Sequence, residues 1–210
     1  MYARRTQGQE LTLGGAGSLF NGSMVLYDLE TRTFWTQGDG KAVEGPLTGR
    51  RLQPIPSVLT DWQTWLSLHP SGTVALRAYN KREMTRELYK FCGLGCFVLG
   101  VSEGDQAKAW SFEDLTKCGA IQDEWLGTPV LVVLDQASWT GRLYERPRPT
   151  KDPLAFELVK GRLVDKQTGS VWQPLTGRAE SGPLAGQCLK PLAAGVSYRS
   201  AWFRLHPDSD

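Results

Sequence analysis

The chain has 210 residues, 40% hydrophobic and 22% charged, an ordinary globular composition with ample material for a core. Its formal net charge of +2 gives no electrostatic case for nucleic acid, and the longest apolar run, residues 130–134, is far too short to span a bilayer. The basic start at residues 1–5 is followed by no apolar segment, so no signal peptide is read there, and 23 Gly with 12 Pro among short runs point to a turn-rich, mostly β, α+β protein.

In chain order, residues 2–5 and 10–13 read as two strands joined at Gln7-Gly8. Gly14, Gly15 and Gly17 invite a phosphate-loop reading. No Lys-Ser/Thr follows them and the next stretch is a strand, so a bulge is expected instead. Asn21-Gly22-Ser23 is a turn. Residues 24–27 and 33–36 then form a hairpin around a loop opened by Asp28, whose side chain can accept the backbone N–H two residues on. Arg32 must close that loop in the left-handed region, and Trp35 lies on the returning strand, where a large ring covers one face. Gly45-Pro46-Leu47-x-Gly49 is a tight turn with an inward leucine, and Leu52-x-Pro54 a short strand held to a sheet edge by proline.

Residues 60–68 read as a helix with a capping-box start at Thr60 and Gln63. Trp62, Trp65, Leu66 and Leu68 form its apolar face. His69 sits at the helix C-terminus, and Pro70 stops it. A strand is expected at residues 72–77, and the charged stretch 80–90 is the seam of the chain. Residues 96–101 and 107–110 form a second hairpin, Ser111 caps a helix ending near Gly119, and strands follow at 121–125, 128–134, 143–146 and 154–159.

From there the sequence repeats. Residues 28–70 moved forward by 137 fall on 165–207 without a gap, with 15 of 43 positions identical, where average composition gives about three. The matched signature is Asp28/Asp165, Trp35/Trp172, Gly45-Pro46/Gly182-Pro183, Trp65/Trp202 and His69/His206, together with Thr31/Thr168, Leu52/Leu189 and others. In the second copy Gly169 takes the loop-closing place of Arg32, and Ser197 the helix-capping place. The chain therefore reads as two tandem related halves about a pseudo-two-fold axis, each a small twisted antiparallel sheet or partial barrel with a short helix. The halves are 1–80 and 96–210, joined by a connector at 81–95.

Duplication argues that these residues shape an interior. His69 and His206, the only two histidines, have a helix-capping role, so no nucleophilic triad can be assembled, and the carboxylates offer no acid–base pair. Cys92 and Cys96, separated by Gly93-Leu94-Gly95, are the local spacing closest to chemistry. They admit a tight disulfide, half a metal site, or a thiol–disulfide pair. Cys118 and Cys188 read as small core residues.

The motifs in residues 14–21, 27–37, 45–52 and 62–70, with the later Val98-Leu99-Gly100-Val101, resemble a bacterial and archaeal family of unknown function, DUF3179. That resemblance implies a Cys-Pro-x-Cys segment, in some members with selenocysteine, ahead of the stretch matching residues 2–5, and with it a redox or metal role and export. Here the segment would fall before Met1, and residues 134–138, its counterpart in the second half, hold no cysteine. A truncated or divergent version of a longer two-unit protein is the reading this suggests.

Two functions are carried forward. One is a non-enzymatic binding or scaffold domain with a groove between the halves. The other is a thiol-redox or metal module at Cys92 and Cys96, or at the missing upstream segment. No cofactor, nucleic-acid partner or membrane span is expected.

Overall fold

A computed structural model describes residues 1–6, 8–74, 93–147 and 151–209. Its strands are short because glycine and proline interrupt every apolar run. β1 (Arg5–Thr6) and β2 (Gln9–Glu10) pair as a small hairpin; β3 (Leu13–Phe20), β4 (Ser23–Asp28), β5 (Phe34–Thr36) and β6 (Ala42–Glu44) form an antiparallel meander, and α1 (Trp62–Leu68) follows. Later come β7 (Phe97–Glu103), β8 (Gln106–Ser111), α2 (Phe112–Cys118), β9 (Ala120–Trp125), β10 (Thr128–Asp135) and β11 (Thr140–Glu145). A second meander, β12 (Phe156–Val159), β13 (Arg162–Asp165), β14 (Val171–Trp172) and β15 (Ala179–Ser181), leads into β16 (Lys190–Pro191), β17 (Gly195–Tyr198) and α3 (Arg199–Leu205). Two further sheets run β16-β11-β10-β9 and β17-β7-β8.

The two meanders share a hydrogen-bonded core. Asp28 and Asp165 have no solvent exposure, and each accepts the indole N–H of the tryptophan seven residues on, at 2.8 Å from Trp35 and 2.9 Å from Trp172. Each carboxylate also takes the backbone N–H and hydroxyl of Thr31 or Thr168. Those hydroxyls meet Thr33 Oγ1 or Ser170 Oγ at 2.7 Å, and these in turn accept from Leu47 N or Leu184 N. One buried charge thereby fixes the hairpin loop, the ring on the returning strand and the following Gly-Pro-Leu turn. Gly45 and Gly182 are required there: φ is +107° and +92°, and a Cβ would stand 2.8 Å from Thr33 Cα or 2.6 Å from Ser170 Cα. Arg32 closes the first loop at φ 59° and Gly169 the second at 70°, as read.

Three cores result. The first meander packs Leu11, Trp35, Ala42 and Leu52. In the second half β10 separates two cores by strict alternation. Val130, Val132 and Leu134 join Leu99, Phe112 and Leu115 on one face, while Leu131 and Val133 join Tyr144, Phe156, Leu163 and Trp172 on the other. The long apolar run of the sequence is a central strand covered on both sides.

The glycine cluster is a bulge, with the β3–β4 register shifting between Gly15 and Leu19. Ser111 caps α2 and Gly119 ends it at φ 70°, as expected. The strand expected at Leu52-x-Pro54 is reduced to an isolated bridge between Pro54 and Tyr2, whereas its counterpart in the second copy, β16, does pair at the edge of its sheet.

The helices depart from expectation in three ways. Asp61, not Thr60, caps α1, accepting Thr64 N at 2.8 Å, because a carboxylate one residue further on competes for the same N–H; Thr60 Oγ1 instead accepts from Thr140. Ser197 is drawn into β17 by its pairing with β7, so Tyr198 begins α3 without a side-chain cap. No residue of α1 is buried, and Trp62 and Leu66 are exposed, whereas Trp202 of α3 is buried on β7. Gly100 makes that seat, since a Cβ there would stand 2.3 Å from the Trp202 ring. Residues 72–74 are not in a strand; the rest of the strand expected at 72–77 and the stretch 80–90 lie outside the described residues.

Replacing Asp28 by Ala strands the buried Trp35 and Thr31 donors and should cost about 2–4 kcal/mol in urea unfolding, with Asp165→Ala giving a loss of the same order. Burial pushes the Asp28 carboxyl up, but hydrogen bonds from Trp35, Thr31 and Thr33 outweigh it and hold the group below its ordinary value. Its share of the stability is therefore present above pH about 4 and lost as pH falls further, and the Asp28→Ala penalty should shrink in that acid range.

Candidate functional site

The second half returns to the first through its C-terminal segment. α3 lies over the first meander, with Ala201 against Gly22 and Leu205 against Gly38. In the other direction, Arg142 Nη1 donates to Ser57 O at 3.2 Å and Thr140 Oγ1 to Thr60 Oγ1 at 2.8 Å, tying residues 57–60 to β11. A groove of about 1370 Å³ runs between these crossings. Leu19, Met24, Ile55 and Leu59 line it from the first half and Trp125, Leu126, Leu192, Val196 and Tyr198 from the second. Seven of its lining residues, Met1, Leu19, Met24, Ile55, Leu59, Leu126 and Tyr198, are among the exposed large hydrophobic side chains. The exposed apolar side chains are thus collected into one concave trough.

At one end of the groove a smaller cavity of about 290 Å³ opens among β5, β6, the β7–β8 turn and the end of α3. Its inner wall is charged. Asp39, nearly buried, accepts Arg51 Nη1 at 2.8 Å through Oδ2, while Thr36 Oγ1 and Lys41 N donate to Oδ1. Burial raises the Asp39 carboxyl, but the bonds from Thr36, Lys41 and Arg51 together hold it below its ordinary value. Beside it, burial, then the Asp39 charge, push the Tyr2 phenol far up, so it stays protonated. His206 completes the wall. It is buried, its Nε2 has no hydrogen-bond partner among the described residues, and burial lowers its pKa.

Of the residues singled out in the sequence, Asp28, Trp35, Asp165 and Trp172 are the buried latch, and Gly45, Pro46, Gly182 and Pro183 form the turns it holds. His69 and His206 both stand at helix C-caps through their backbone N–H, with φ and ψ nearly identical, and each imidazole stacks on the tryptophan four residues back, Trp65 at 4.1 Å and Trp202 at 4.5 Å. Their surroundings then diverge: His69 is exposed and His206 lines the cavity. Cys96 ends a 3₁₀ turn, Leu94–Cys96, and is disulfide-bonded; Cys92 lies outside the described residues. Cys118 and Cys188 are free and exposed, which corrects their reading as core residues: one ends α2, the other forms an isolated bridge with Arg178 just before β16. Among the described residues no group of three or more His, Cys, Asp and Glu could hold a metal ion, and no helix is long and apolar enough to cross a membrane.

Asp39, Arg51 and Tyr2 went unnoticed in the sequence because they break the repeat. Positions 36, 39 and 51 are Thr, Asp and Arg in the first copy and Gln173, Thr176 and Cys188 in the second. The charged part of the wall, Asp39 and Arg51, stands at positions that differ between copies, and that difference is the signal that could have found it; His206 is a matched residue that lines the cavity from the other copy.

The architecture defines a class, a β-rich α+β chain of small antiparallel sheets with short helices. A family model described as "Protein of unknown function (DUF3179)" matches residues 1–90 and 96–209, and the chain belongs to that family. No curated protein and no solved structure matches it.

The lowered pKa of His206 has a defined consequence. Above its ordinary value of 6.5 both folded and unfolded forms are neutral and it contributes nothing; below that, the unfolded chain takes up the proton first. Stability should therefore fall as pH drops through 6.5, and urea midpoints for His206→Gln should change less between pH 7.5 and 5.5 than those of the parent.

Proposed function

We propose that this chain is a non-enzymatic binding domain whose ligand lies in the groove between two halves, 1–80 and 96–210, that arose by internal duplication. The groove carries the reading: it draws on both halves, and it gathers apolar side chains that would otherwise be a liability in water. The duplication is supported by the paired latch, in which Asp28 with Trp35 and Asp165 with Trp172 make the same bonds. Binding without turnover fits the state of Asp39, whose two oxygens already accept from Thr36, Lys41 and Arg51.

A neutral apolar dye such as Nile red should bind saturably at about one site per chain. Leu59→Glu and Ile55→Glu place charges on exposed groove positions that the fold tolerates, and each should weaken dye binding by about tenfold. Unchanged affinity in both variants would remove the groove reading.

A second reading, a thiol-redox module at Cys92 and Cys96, has one observation in its favour, the disulfide at Cys96 in a chain whose Cys118 and Cys188 remain thiols. Mild reduction separates the two. The binding-domain reading expects dye affinity to survive reduction of the Cys96 disulfide, and the redox reading expects reversible cycling with a defined potential.

A further inference from the structure

Resting on the groove reading above, we propose that the cavity at Arg51, Lys41 and His206 is a subsite for a carboxylate head, and that the ligand class is an amphipathic monoanion with its apolar tail in the groove. The two spaces share Asp39, Arg51 and Leu205 as lining, so one molecule can occupy both.

Arg51 and Lys41 leave donor capacity to spare in the cavity. Asp39 is spent on Arg51, Thr36 and Lys41 N, and it acts as a buttress that holds the guanidinium by one nitrogen, Nη1. Nη2 points the other way, where its charged neighbour is Asp105 at 3.7 Å, a side chain 98% exposed at the tip of the β7–β8 turn. That is a long, loosely held contact, at a place where a ligand carboxylate could sit at hydrogen-bond distance and displace it. Lys41 lines the same cavity, and its ammonium makes no ion pair among the described residues. His206 adds a buried imidazole nitrogen without a partner, an uncommon and costly state for a ring 91% removed from solvent. Asp105 and Asp208 at the rim disfavour a dianion, which selects one negative charge over two.

The experiment compares three probes on the full chain by calorimetry: octanoate, 1-octanol and acetate. The proposal expects octanoate to bind at least tenfold more tightly than either of the others. In Lys41→Gln octanoate should lose about tenfold while octanol is unchanged, and in Asp105→Asn octanoate should tighten, because the competing carboxylate is gone. Circular dichroism checks that both variants fold. The His206 ring resonances should move with octanoate and not with octanol. Equal affinity for octanoate and octanol would overturn the head subsite while leaving the groove intact. Acetate binding as well as octanoate would overturn the coupling of cavity to groove, and no binding of either eight-carbon probe would overturn both readings together.

Discussion

In each meander a carboxylate without solvent contact accepts an indole N–H across the hairpin, Asp28 from Trp35 and Asp165 from Trp172. A charge so placed is tolerated only when its lone pairs are filled, and here the threonine three residues on fills them with both its hydroxyl and its backbone N–H. The arrangement is self-consistent within about twenty residues. It sets the loop length, orients the ring that forms the floor of the core, and anchors the Gly-Pro-Leu turn. Small sheets of two to four short strands have little apolar area to define register, and this polar latch supplies the definition.

With the meanders fixed, the rest of the chain is placed by what each lacks. Neither has a helix of its own to lie on its open end. α3 from the far end of the chain covers the first, seated by Gly100 under Trp202, and residues 57–60 reach back to β11 in the second half. The space between those crossings is the groove. Its apolar lining is the same kind of side chain that fills the cores.

The sequence revealed the scaffold and concealed the site, for one physical reason. Repetition marks residues that every copy needs, so Asp28, Trp35, Gly45 and their partners at +137 were legible, as were the turn at Gly169 and the caps at Ser111 and Gly119. A site needed only once leaves no repeat. Asp39 and Arg51 are twelve residues apart and meet only because β5, β6 and the turn at Gly49 fold back, and His206 reaches them from the other end of the chain. Helix caps were misread where tertiary pairing overrode local pattern, as at Ser197, pulled into β17. Cys118 and Cys188 were misread because burial of a lone cysteine has no local signature.

The protection of the indole N–H groups from hydrogen exchange tests the latch most directly. The Trp35 and Trp172 side-chain N–H groups should exchange only through global unfolding, far more slowly than those of the exposed Trp62 and Trp139. If Trp35 and Trp172 exchange as fast as the exposed pair, the buried carboxylates do not hold the meanders, and the account built on them fails.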